Sequence, residues 1–290
     1  MLMKSSEKGE GMEKVDKEKI AFLKGKAKTI RRNVVEILSQ TSGGHFGGAL
    51  SAADILAALY FEIMKINPQD PCWPDRDRFI LSKGHVSVAK CAALAEAGYF
   101  PYQELLTTYN KLGSPFGMHE DMTKIKGCDM TAGSLGHGLS AGVGMAIAGK
   151  HDHKDYRVFV MIGDADLQEG STWEAIMSAS HFKLDNLVCI VDRNQIGVDG
   201  FTEELMALEP LGQKLKDFRW QVREIDGHNM EEVVAALKSL PLAPGCPSAI
   251  IANTIKGKGV SFMEGNHHWH FGVATKEQAE AALAELEKEI

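Results

Sequence analysis

Three short apolar runs, each stopping on polar groups, constrain the fold of this chain more than any other feature. They are residues 78–81 (Arg-Phe-Ile-Leu), residues 157–162 ending at Gly163-Asp164, and residues 187–191 ending at Asp192-Arg193-Asn194. A strand apolar on both faces has no solvated side, so it belongs inside a parallel sheet. Further strands are expected near 219–225 and 248–252. Helical periodicity fills the gaps: 20–38 (Ile20, Leu23, Ala27, Ile30, Val34, Ile37, Leu38), 86–97, 134–150, 171–182, 230–240 and 275–289. Ser51-x-x-Asp54 has the spacing of a capping box opening a helix through about Met64. The alternation predicts an α/β fold, a parallel β-sheet with helices on both faces. The 290 residues show no internal repeat or linker, so one domain over 1–290 is expected, with 1–17 a flexible lead-in.

Composition removes several function classes. Lys+Arg 32 against Asp+Glu 39 leaves a net charge of -7 with no basic block, which argues against nucleic acid or an anionic membrane surface as partner. No apolar stretch approaches the length of a membrane span, and the charged N-terminus lacks the apolar core of a secretory signal. Five scattered cysteines without a CxxC suit reduced thiols, hence a cytoplasmic chain. The 29 glycines gather at 43–48, 133–149, 163–170, 197–200 and 257–265, beside His, Asp or Asn.

In open α/β sheets, ligands bind beyond the carboxyl ends of the strands. Three strands deliver polar residues there: His85, Asp164 and Asn194. The last two are 194 − 164 = 30 residues apart, one strand–helix–strand unit, which brings a carboxylate and an amide oxygen to neighbouring strand tips. Such oxygens suit a hard cation that shares its shell with phosphate and water. The helix 134–150, rich in Gly and Ala, suits close approach to another backbone or a ligand. GHGLSAG misses the GxGxxG spacing of dinucleotide folds.

The segment GDADLQEG…N (163–194) resembles the thiamin-diphosphate motif. SGGHFGGALSAADI (42–55), RDRFILSKGH (76–85), GMHEDM (117–122), AGSLGHGLSAGVGMA (132–146) and TIKGKG…NHHWH (254–270) follow the order found in transketolases. The chain resembles their N-terminal, diphosphate-binding domain, as one subunit of a split transketolase. The resemblance implies thiamin diphosphate and Mg²⁺ (or Ca²⁺) as cofactors, with Asp164, Asn194 and the Ile196 carbonyl as metal ligands. Gly163 and Ala165 would lie against the diphosphate, Ala165 standing where relatives carry Gly. Gly133 and Leu135 would touch the cofactor. His45, His85, His119 and His267 would line the substrate channel, His85 and His267 also meeting the cofactor. Glu169 would face the partner as a proton-relay residue. His137 replaces a common Gln, while His228, His268 and His270 carry no assignment. His151, His153 and His181 read as surface residues.

The implied activity is transfer of a two-carbon ketol unit from a ketose phosphate to an aldose phosphate. The Glu that activates the cofactor lies in the family's next domain. A C-terminal partner subunit (pyrimidine-binding plus C-terminal domains), in an α2β2 assembly, is therefore expected. Alternatives are a subunit of another thiamin-diphosphate enzyme (a 2-oxo acid dehydrogenase first component or a deoxyxylulose-phosphate synthase relative), or a non-catalytic cofactor-binding subunit.

Overall fold

The computed structural model describes residues 16–288, so the lead-in expected over 1–17 falls outside it except for its last two residues. Of those two, Lys17 opens a helix and Asp16 precedes it. The Asp16 side chain accepts from the Glu18 amide and caps α1 (Lys17–Leu38). The chain breaks at the 43–44 glycines and turns into α2 (Phe46–Ser51) and α3 (Ala53–Ala58), the latter running into a π-helical turn (Leu59–Ile63). The expected capping box is absent. Ser51 ends a helix instead of starting one, and both of its polar groups are drawn into buried contacts. Ser51 Oγ donates to Asp192 at 2.6 Å, and Asp54 pairs with Arg31 and His228.

Next come β1 (Arg78–Leu81), α4 (Ser87–Glu96), α5 (Tyr102–Thr108), α6 (His137–His151), β2 (Val158–Gly163), α7 (Gly170–His181) and β3 (Leu187–Arg193). The chain continues through α8 (Thr202–Leu205), α9 (Leu211–Asp217), β4 (Gln221–Asp226), α10 (Met230–Lys238), β5 (Ser248–Asn253) and α11 (Lys276–Lys288). The sheet order is β1-β2-β3-β5-β4 with every pair parallel, as the apolar runs predict. Alternate strand residues face opposite layers. Phe79, Phe159, Met161, Val188 and Ile190 pack under α1, α3, α4 and α10, whereas Ile80, Val158, Val160, Cys189 and Val191 pack under α6, α7 and α9.

The small residues of α6 serve close packing. A Cβ on Gly142 would stand 2.5 Å from Val160 Cγ2, so any larger residue would push the helix off β2. Gly136, at φ 81, caps this helix in the left-handed region, and a Cβ there would meet Glu169 Cβ at 2.6 Å. Among the described residues no helix is long and apolar enough to cross a membrane.

Candidate active site

Because all five strands run the same way, their carboxyl ends share one edge, and the polar residues that end β1, β2 and β3 meet there. The floor is Asp192, fully buried at the tip of β3. Its carboxylate accepts from Ser51 on α2, Lys83 after β1 and Thr254 after β5. Burial alone would favour the neutral acid, but the adjacent Lys83 ammonium wins and holds Asp192 below the usual carboxylate range. Lys83 also donates to the Gly48 carbonyl at 2.9 Å, tying α2 to the same point.

Above this floor stand imidazoles. His45 precedes α2 and His85 follows β1, with ring centroids 4.7 Å apart; His270 lies 5.3 Å from each. Burial and neighbouring cationic groups push all three below their ordinary value, His45 to about 4, His85 to about 2 and His270 to about 3. At neutral pH they are therefore uncharged, able to accept or pass a proton. His45 Nδ1 is buried and has no hydrogen-bond partner among the described residues, the kind of atom a bound ligand satisfies.

The same shifts fix a pH dependence. Between about pH 6.5 and 4 an unfolded chain protonates these rings while the folded chain does not, so acidification across that window draws the equilibrium toward unfolding. A His85→Asn, His270→Asn double variant should show a shallower fall of urea midpoint from pH 6.5 to 4 than the parent chain. Parallel curves would refute the neutral cluster.

His119 lines the same cleft from the loop after α5. The Ser87 hydroxyl lies 2.7 Å from the Gly117 carbonyl and 3.0 Å from that of Met118. One turn along α4, Lys90 holds the neighbouring Glu120 at 2.9 Å, both side chains fully buried. The loop is thus clamped on each side of His119.

The oxygen groups form the opposite wall. Asp164, 3% exposed, accepts from Arg193 Nη1 at 3.0 Å and from the Gln195 amide at 2.6 Å, so both chain neighbours of Asn194 grip it. Asn194 Oδ1 accepts from the Ile196 amide at 3.2 Å, and the Ile196 carbonyl accepts from Lys256 Nζ at 2.7 Å. Burial raises Asp164 to about 6 against the opposing pull of Arg193. Burial and Lys83 lower Lys256 to about 8. A carboxylate offers about four lone-pair sites and a carbonyl two, so each of these oxygens keeps acceptor capacity. An all-oxygen donor set of this kind fits Mg²⁺ or Ca²⁺. Lys83 is neutralised by Asp192, which leaves Lys256 to add the positive charge an anionic diphosphate needs.

The structure gathers His45, His85, His119, Leu135, Gly163, Asp164, Ala165, Asn194 and Ile196 around one cleft of about 250 Å³. Gly133, Glu169 and His267 do not line it. Glu169 is exposed at the start of α7, packed beside Gly136. His270, not His267, lines the cleft. Trp269 anchors the 3₁₀ turn His267–Trp269 by edge contacts with Phe46 and Phe262 (5.6 and 5.4 Å), which leaves His267 against His268 and turns His270 onto His45. Lys83, Lys256 and His270 were missed from sequence. The apolar anchor at Trp269 was the one available sign for His270.

Residues 23–286 match the family model described as transketolase, thiamine diphosphate binding domain. The chain is 49% identical over 267 residues to the 6-deoxy-6-sulfo-D-fructose transketolase subunit SqwG of a Clostridium species, covering 92% of this chain and 97% of that one. It is 42% identical to an apulose-4-phosphate transketolase subunit of Phocaeicola vulgatus, covering 90% and 92%. Against human transketolase it is 38% identical, spanning 97% of this chain but 44% of the relative. Transketolase from Leishmania mexicana superposes with a TM-score of 0.87 at 31% identity, over 91% of this chain and 41% of that one. With the parallel sheet and its edge cleft in place, these matches establish that the chain belongs to the transketolase family, as a thiamine diphosphate binding domain of that family.

Proposed function

We propose that this chain is the diphosphate-binding subunit of a two-chain, divalent-metal-dependent transketolase. It would move a two-carbon ketol unit from a ketose carrying an anionic terminus to an aldose phosphate, in the cytoplasm. The observation carrying this reading is the meeting, at one sheet edge, of three hard oxygens, two buried lysines and a cluster of neutral imidazoles. Asp164, Asn194 and the Ile196 carbonyl would hold Mg²⁺, and Gly163, Ala165 and Lys256 would meet the diphosphate. Thiamin diphosphate, when bound, supplies the electron sink for breaking the C–C bond.

The chain's own residues handle protons and placement. His45, His85 and His270, neutral at pH 7, can accept hydrogen bonds from sugar hydroxyls, take up the proton a hydroxyl gives up as its alkoxide forms, and return it when an alkoxide becomes a hydroxyl again. His119 closes the cleft from the opposite loop. Glu169, exposed beside the α6 entry, is placed to meet a partner surface. The relatives named as subunits are covered nearly end to end, whereas the human enzyme is covered by less than half. This supports a separate C-terminal partner, and an α2β2 assembly of the two is part of the proposal. The names of the subunit relatives differ in the anionic group on the sugar, sulfonate or phosphate.

The test is co-purification followed by turnover. Ketol transfer is expected only from the chain plus its partner, with His270→Ala lowering it about 100-fold or more and His267→Ala leaving it nearly unchanged. Turnover by the chain alone would refute the two-subunit reading, and loss confined to His267→Ala would reverse the histidine assignment.

A further inference from the structure

Arg193 stands at the centre of the oxygen wall, outside the metal and diphosphate ligands assigned above. It is 2% exposed, an unusual position for a guanidinium, and it uses nearly all of its donors. Nη1 donates to Asp164 Oδ1 at 3.0 Å and to Thr202 Oγ1 at 2.9 Å; Nη2 donates to Glu203 at 2.8 Å and Glu209 at 2.9 Å. These partners belong to two pieces of structure. Asp164 ends β2. Thr202 closes a tight hairpin, its amide donating to the Gln195 carbonyl at 2.9 Å while Ile196 bridges Phe201 across the strands. That hairpin presents the Ile196 carbonyl, and Asn194 lies between Arg193 and its base. One planar fork therefore spans every protein oxygen assigned to the divalent ion.

Charge decides whether this arrangement helps or hinders. A lone guanidinium near a divalent cation would repel it. Here one cation faces the carboxylates of Asp164, Glu203 and Glu209, so the cluster carries +1 − 3 = −2 before any metal arrives. The glutamates are themselves fixed: Glu203 accepts from the Leu208 amide at 3.0 Å and Glu209 from the Leu211 amide at 2.8 Å. The neutralised fork can then orient Asp164 without spoiling its field, as carboxylates and amides behind first-layer ligands do at other metal sites.

We propose that Arg193 is a positioning residue of the divalent-ion site, setting the distance between the Asp164 carboxylate and the hairpin that carries the Ile196 carbonyl. This rests on the proposed metal-dependent function. The probe is Mn²⁺ titrated into the chain assembled with its partner subunit and thiamin diphosphate, free Mn²⁺ being read by electron paramagnetic resonance, alongside hydrogen exchange of residues 195–211. Arg193→Met should weaken Mn²⁺ binding by about 10- to 100-fold and speed exchange of the hairpin amides. Arg193→Lys should not restore affinity, because an ammonium keeps the charge but cannot bridge both pieces. Should Arg193→Met fail to fold, Glu203→Gln with Glu209→Gln slackens the fork from its far side, with binding weaker by about threefold or more at an unchanged melting midpoint. Equal or tighter Mn²⁺ binding in Arg193→Met, full rescue by Lys, or unaltered affinity in the glutamine pair would each overturn the proposal. Failure of the unaltered chain, assembled with its partner subunit, to bind Mn²⁺ with thiamin diphosphate would instead overturn the cofactor reading.

Discussion

Replacing Asp164 with alanine is expected to cost at least about 100-fold in thiamin diphosphate affinity at saturating Mg²⁺, ~2.8 kcal/mol. The carboxylate is the one anionic side chain among the three proposed metal oxygens, and it also accepts from Arg193 and the Gln195 amide. Its removal takes away both the charge that attracts the cation and the acceptor that holds the Asn194 segment in place. The fold should survive, because Arg193 retains Thr202, Glu203 and Glu209. Calorimetric titration checks the prediction. A titration matching the parent, at a matching melting midpoint, would remove Asp164 from the metal site.

The second large effect concerns stability. Lys90 and Glu120 form an ion pair with 0% and 1% of their side chains exposed. Burial pushes the Glu120 carboxyl up despite its partner, whereas Glu120 holds Lys90 above its ordinary range against the same burial. Lys90→Met strands that carboxyl in the core and should destabilise the chain by about 3–5 kcal/mol. Lys90→Met with Glu120→Leu should recover most of the loss, since a well-packed apolar pair commonly matches a buried ion pair. Urea unfolding of the parent, the single variant and the double variant makes the comparison. Equal stability of the parent and Lys90→Met would show that the pair is dispensable. The same clamp borders His119, so the single variant should also lower ketol transfer by the assembled enzyme.

What the sequence reveals follows from what is local. β1, β2 and β3 were legible because each lacks a solvated face, and Asp164 and Asn194 because they sit at strand tips. The edge strand β4 was legible near 219–225 although only its Ile225 is buried. α5, α8 and α9, of seven, four and seven residues, are too short for helical periodicity to emerge from the surrounding loops. Ser51 and Asp54 misled because long-range partners claimed both polar groups, Asp192 for one and Arg31 with His228 for the other. Lys83, Lys256 and Arg193 were unreadable for a related reason. A cationic side chain normally seeks solvent, and only the assembled strand ends reveal carbonyls and carboxylates waiting for it.

The second aspartate of the GDAD segment ties the sheet edge together. Asp166 is fully buried and accepts from Ser82 beyond β1, from the Gly163 amide ending β2 and from the Gly136 amide that opens α6. One side chain thus staples three stretches separated by up to 84 residues of chain. These bonds all form only when β1, β2 and the entry to α6 have come together. The Gly136 and Gly163 amides should rank with the slowest to exchange, released only when the whole molecule unravels.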